Sequence, residues 1–101
     1  MPIHIDRLFE AAIRKHAVEL RLQKDKPPQI YVNGNFQPTS THPLTIDDLR
    51  QLMRSITPDA NQAELAQASQ TSFTFAYGDI ARFFVRITGG IDMPEIVVRP
   101  I

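Results

Sequence analysis

Arg82, Phe84 and Arg86 alternate with Ala81, Phe83, Val85 and Ile87 near the end of the chain. Successive side chains of an extended strand point to opposite faces. This spacing therefore puts the apolar residues on one side and an aromatic ring between two guanidinium groups on the other. A guanidinium is a planar, permanently charged fork that suits carboxylate and phosphate oxygens, and an aromatic beside arginine is typical of interface anchors. The chemistry on offer is docking or anion recognition. Arg99, in the strand-like run Ile96-Val97-Val98-Arg99-Pro100-Ile101, can extend the same surface. The competing readings are plain: arginines that are solvated sheet-face charges or that pair with Asp79 and Glu95, and a Phe84 that is core beneath a helix.

Other chemistry finds little support. His4, His16 and His42 share no ligand spacing, so no metal site is expected. Ser69, Ser72 and Thr74 lack a positioned His and Asp, so no catalytic residues are assigned. Asp47 and Asp48 are neighbours at a helix start, where acids favour the dipole rather than act as a facing pair. The four glycines stand at 34, 78, 89 and 90, and none belongs to a Gly-x-x-x-x-Gly-Lys-Ser/Thr run. Without that loop no backbone nest cradles phosphates, so the chain is expected not to be an ATPase, or any other enzyme, and to need no cofactor.

Composition narrows the class. A length of 101 residues suits one domain, 1–101, and 43% apolar content suits a folded core. The formal net charge of zero removes the broad basic footprint of a nucleic-acid binder. There is no cysteine, which excludes disulfides and thiolate metal sites. Met1-Pro2-Ile3-His4 runs into a charged amphipathic segment with no signal-peptide stretch, and no run is long enough to insert in a membrane. The expectation is a cytoplasmic protein.

The elements that must position the arginines follow from periodicity. Ile5, Leu8, Phe9, Ala12 and Ile13 recur at helical spacing. Val18-Glu19-Leu20-Arg21-Leu22 alternates and predicts a half-buried strand. Asn33-Gly34 between Gln29-Ile30-Tyr31-Val32 and Phe36-Gln37-Pro38 predicts a hairpin. Thr45-Ile46-Asp47-Asp48 resembles a capping box ahead of a helix with Leu49, Leu52, Met53 and Ile56 on its apolar face. Thr57-Pro58-Asp59 breaks that helix and starts a short surface helix over 60–68, with Leu65 its one strong apolar residue. Phe73, Phe75 and Tyr77 alternate in a strand that turns at Gly78-Asp79 into the arginine strand, with Phe75, Phe83 and Val85 expected in the core against the first or second helix, and a last strand covers 95–99. Runs of strands separated by helices predict an α+β domain with a mostly antiparallel sheet.

Several of these segments, in this order, resemble the N-terminal domain of PilT-like type IV pilus retraction ATPases, within the type II/IV secretion ATPase superfamily. Arg14-Lys15-His16-Ala17-Val18-Glu19-Leu20-Arg21-Leu22 resembles the family's Lys-Gly-Ala-Ser-Asp-Leu-His-Leu. Lys26-Pro27-Pro28 and Asn33-Gly34 match in part its Gly-x-Pro-Pro and following glycine. Pro43-Leu44-Thr45-Ile46-Asp47-Asp48 resembles Pro-Leu-Thr-x-Glu-Glu, and Ser72-Phe73-Thr74-Phe75-Ala76-Tyr77 sits where the family has Asp-Phe-Ser-Tyr. Ala81-Arg82-Phe83-Phe84-Val85-Arg86 resembles Ala-Arg-Phe-Arg-Val-Asn, and Val97-Val98-Arg99-Pro100-Ile101 resembles the closing Val-Leu-Arg-x-Ile. The match spans nearly the whole chain. It departs at Val18-Glu19-Leu20-Arg21, at Lys26 and at Phe84, where the family has an arginine.

The resemblance implies a PAS-like antiparallel sheet of about six strands with helices packed on it. It implies a non-catalytic interaction domain whose partner is an ATPase core, in its own full-length chain or another protein, and it admits a homo-oligomer. In related type II secretion ATPases two arginines are thought to reach a nucleotide held by the neighbouring domain, and Arg86 and Arg99 match those positions. Arg82, Phe84 and Arg86 are the expected partner-binding set. The motor domain of the family would begin where this chain stops. The alternative is a free-standing PAS-like adaptor or small-ligand sensor without a motor.

Overall fold

A computed structural model describes residues 5–101; the expectations for Met1–His4, including His4 as a ligand, fall outside them. The order of elements is α1 (Ile5–Arg14), β1 (Glu19–Leu22), β2 (Gln29–Val32), β3 (Asn35–Pro38), α2 (Ile46–Ile56), α3 (Asp59–Ala68), β4 (Gln70–Tyr77), β5 (Ala81–Thr88) and β6 (Glu95–Pro100). The strands form one six-stranded sheet in the order β3-β2-β1-β6-β5-β4. Every pairing in it is antiparallel. The predicted α+β class and strand number are borne out.

Local chemistry explains the punctuation. Asn33 (φ 52°) and Gly34 (φ 84°) both take the left-handed region that a two-residue hairpin turn requires, and Val32 then pairs with Asn35. Thr45 caps α2 reciprocally: its hydroxyl accepts the Asp48 N–H at 3.1 Å, and its own N–H donates to the Asp48 carboxylate at 2.9 Å. Ser69, left-handed at φ 63°, ends α3 and turns the chain directly into β4.

The core lies between the three helices and one face of the sheet. Leu20, Leu22, Ile30, Phe83, Val85, Ile87, Ile96 and Val98 point inward from the strands. Leu8, Phe9 and Ala12 of α1, Leu49, Leu52, Met53 and Ile56 of α2, and Leu65 of α3 meet them. Phe9 organises one end of this layer. Its ring stacks on Phe83 at 4.8 Å and lies 5.2 Å from Phe75 and 5.7 Å from Tyr77. The Tyr77 hydroxyl donates to Glu10 at 3.0 Å. Partial burial, and then the acceptor and charge of Glu10, raise the Tyr77 pKa above its ordinary 10.0.

Three expectations need correction. Val18 does not continue the alternation of β1: it is 60% exposed, although its N–H still donates to the Tyr31 carbonyl. His16 takes a left-handed conformation (φ 55°) after α1, and Ala17 fills the core position beside the helix end. Glu19, expected on the solvated side of that strand, is 7% exposed. Phe75, expected in the core, is only half-buried, because β4 is an edge strand whose inward side chains are covered from one flank.

Candidate functional site

The helices cover one face of the sheet and leave the other open, which rules out a Phe84 buried beneath a helix. Phe84 is 41% exposed. Strand register then decides what lies beside it. Phe84 sits opposite Arg99 on β6 and Thr74 on β4. Arg86 sits opposite Val97, and Val97 sits opposite Arg21 on the far side, so this row crosses three strands with an arginine at each end. Arg82 lies opposite Ala76, nearer the β4–β5 turn.

The face divides electrostatically into two parts. In the middle, Glu19 holds two arginines: Arg21 Nη2 donates to Oε2 at 2.7 Å, and Arg99 Nε donates to Oε1 at 3.1 Å. The Glu19 side chain is 9% exposed, whereas those of Arg21 and Arg99 are 35% and 65% exposed. Burial of a carboxylate is tolerable here because both oxygens receive charge-assisted hydrogen bonds. The Arg21 guanidinium also lies over the Phe36 ring at 4.6 Å, and Phe36 packs edge-on against Tyr31. Arg99 is engaged through Nε, which leaves its two terminal nitrogens for another acceptor.

On β5 the situation differs. Arg82 and Arg86 are exposed, and among the described residues neither side chain makes an ion pair or hydrogen bond. The competing pairing with Asp79 and Glu95 is not formed: Glu95 accepts instead from Gln23 at 2.7 Å. A shallow hollow of about 270 Å³ opens between the two parts, lined by Glu19, Arg21, Phe84, Arg86, Thr88, Val97 and Arg99. The arrangement offers uncompensated positive charge around an exposed ring. It holds no set of His, Cys, Asp and Glu that could bind a metal ion among the described residues.

All four arginine-face residues singled out in the sequence thus share one surface, with Arg86 and Arg99 on its common hollow and Arg82 beyond it. Glu19 and Arg21 were missed as members. Their alternation with Leu20 placed them on one side of a strand, but nothing local said that β1 would lie next to β6. Among the described residues no helix is long and apolar enough to cross a membrane.

No protein-family profile matches the chain, and no curated protein matches it in sequence. Solved structures do. The pilus retraction motor PilT, determined with bound ADP, matches with a TM-score of 0.86 at 19% identity over 96% of this chain. The ATPase DotB of Legionella pneumophila matches at 0.81 and 22% identity, and that of Yersinia pseudotuberculosis at 0.73 and 17%, each over 96% of this chain. The chain spans only 29%, 28% and 29% of those three structures. The resemblance to PilT-like ATPases is borne out as architecture: this chain has the fold of one part of the PilT and DotB ATPases.

Proposed function

We propose that residues 1–101 are one PilT N-terminal-like domain of a type IV pilus retraction or type II secretion-type ATPase system, acting in the cytoplasm as a non-catalytic interaction module. Its open sheet face packs on an ATPase core, belonging to its own full-length chain or to another protein. Arg82, Phe84 and Arg86 form the docking surface. Arg86 and the free terminal nitrogens of Arg99 extend from it toward a nucleotide that the core holds, as forks for phosphate oxygens. The chain has no phosphate-cradling glycine loop, so hydrolysis belongs to the core.

The observation that carries this reading is the uncovered Phe84 between two unpaired arginines, on a fold otherwise found inside much longer ATPases. An exposed aromatic flanked by arginines has the composition of an interface anchor.

The test is binding to a purified PilT-type ATPase core. The double variant Arg82→Glu/Arg86→Glu keeps its melting temperature and weakens binding by at least about tenfold, as expected where charges of a docking face are reversed. An equal affinity in parent and variant ends the docking reading. Isothermal calorimetry with ATP alone should give no saturable micromolar binding.

A further inference from the structure

The docking reading leaves open what kind of surface meets the face, and the division of its charges answers this. Glu19 engages both Arg21 and Arg99 in the middle of the face, where its one carboxylate offsets one of their two positive charges. The arginines of the face with no acidic partner among the described residues are those of β5, Arg82 and Arg86, four residues apart with Phe84 halfway. In a strand that spacing separates their backbones by about 13 Å. Phe84 and Arg86 share a second hollow with Ser72 toward the β4 edge, and Arg82 lines another with Ile80 and Ile101. Glu64 and Asp79 also border these hollows, yet neither forms an ion pair with the arginines. Ile80 and Ile101 are 72% and 75% exposed, so the β5 side of the face is apolar as well as basic.

The opposite face of the sheet is already covered by helices, the usual second layer of an α+β fold. On a helix, residues seven apart return to nearly the same side about 10.5 Å along the axis, with positions three and four between them. The flexible arms of arginine and glutamate span the remaining few ångströms. We propose that the partner element that docks on this face is an acidic amphipathic helix laid along β5, with carboxylates at positions i and i+7 on Arg82 and Arg86 and apolar residues at i+3 and i+4 over Phe84. This rests on the docking reading and adds the chemistry of the partner to it. Charge complementarity selects this occupant: a second copy of the face would set arginine against arginine.

The probe is a pair of alanine-based helical peptides of identical composition. One carries Glu at i and i+7 flanking Leu at i+3 and i+4. In the other the glutamates are moved to the opposite side of the helix. Both are titrated into the ¹⁵N-labelled chain at low salt. The first peptide should shift the amides of β5 and bind at least about tenfold more tightly than the second, the discrimination expected of an oriented charge pair. Arg82→Gln/Arg86→Gln should remove that preference, while Arg21→Gln should leave it in place. Equal binding of the two peptides, shifts centred away from β5, or no binding of either up to millimolar concentration overturns the inference. Tighter binding of a single-stranded DNA oligonucleotide assigns the face to nucleic acid and also overturns it. Failure here with the ATPase core still bound leaves docking intact and removes only the helix; the reverse pattern removes the core as partner.

Discussion

Replacing Glu19 with Gln keeps the shape of the side chain and deletes the charge on which Arg21 and Arg99 converge. The cost can be bracketed. Breaking a fully buried ion pair by removing one partner costs about 3–5 kcal/mol, whereas an exposed pair contributes about 0–1 kcal/mol. Here the carboxylate is 9% exposed, but its partners are 35% and 65% exposed and recover hydration when released. The expected loss is about 2 kcal/mol, or a fall of about 10 °C in Tm for a domain of this size. The two arms of the cluster should be unequal. Arg21 is closer, at 2.7 Å against 3.1 Å, and less exposed. It also carries a buried Nε without a partner, so it is the more dependent on its terminal nitrogens. Urea melts of the single variants Glu19→Gln, Arg21→Gln and Arg99→Gln and of the two double variants give both coupling energies. The Glu19–Arg21 coupling should be about 1–1.5 kcal/mol and the Glu19–Arg99 coupling about half of that or less. A loss below about 0.5 kcal/mol for Glu19→Gln, or a larger coupling to Arg99 than to Arg21, would refute the account of a buried carboxylate held chiefly by its neighbour on the same strand.

Three further outcomes are expected. Phe83→Ala removes a fully buried ring stacked on Phe9 and should cost about 3–5 kcal/mol in urea melts; below about 1 kcal/mol the inward register of β5 is wrong. Gly89→Ala should cost about 1–3 kcal/mol or more, because φ is +87° and an added Cβ would lie 2.2 Å from the Met93 carbonyl oxygen; unchanged stability would mean that this loop relaxes freely. Glu10→Gln should move the Tyr77 titration, followed by ultraviolet absorbance, back toward 10.0, since the carboxylate accepts the phenolic proton and repels the phenolate. A group whose pKa is raised on folding contributes stability below its unfolded pKa and loses it as pH climbs through the folded value. The parent should accordingly lose more stability above pH 10 than the variant, in which burial still raises the group, and coincident alkaline profiles would exclude the Tyr77–Glu10 contribution.

What could be read from the chain was whatever is encoded within a few residues. The Thr45 cap, the Asn33-Gly34 turn and the alternation of β5 each carry their own instruction, and each element formed where that instruction lies. The arginine face was legible for the same reason: period two on one strand places Arg82, Phe84 and Arg86 together without reference to anything else. Glu19 was not legible, because its burial depends on β1 lying beside β6. Its partner Arg99 comes from the opposite end of the sequence. Val18 misled for a related reason. Its β-branched side chain suits a strand, yet the place it would have filled belongs to Ala17 once His16 has redirected the backbone. Phe75 shows the third kind of limit, since alternation tells which way a side chain points but not whether its strand is central or an edge.

The order β3-β2-β1-β6-β5-β4 makes the sheet two three-stranded meanders joined along a single seam. Each meander closes through short hairpins, but the seam pairs Leu20 with Val98 and Leu22 with Ile96, about three-quarters of the chain length apart. During synthesis the first meander can form early, while β1 keeps a bare edge until the last strand arrives. Loop-closure entropy and contact order both make that final pairing the slow event. The Glu19–Arg99 bridge crosses this seam, so the charges that shape the open face also clasp the beginning of the fold to its end. A chain stalled or clipped before β6 would expose β1 for illicit strand pairing, and its vulnerability to aggregation would lie at the middle of the finished sheet rather than at its rim.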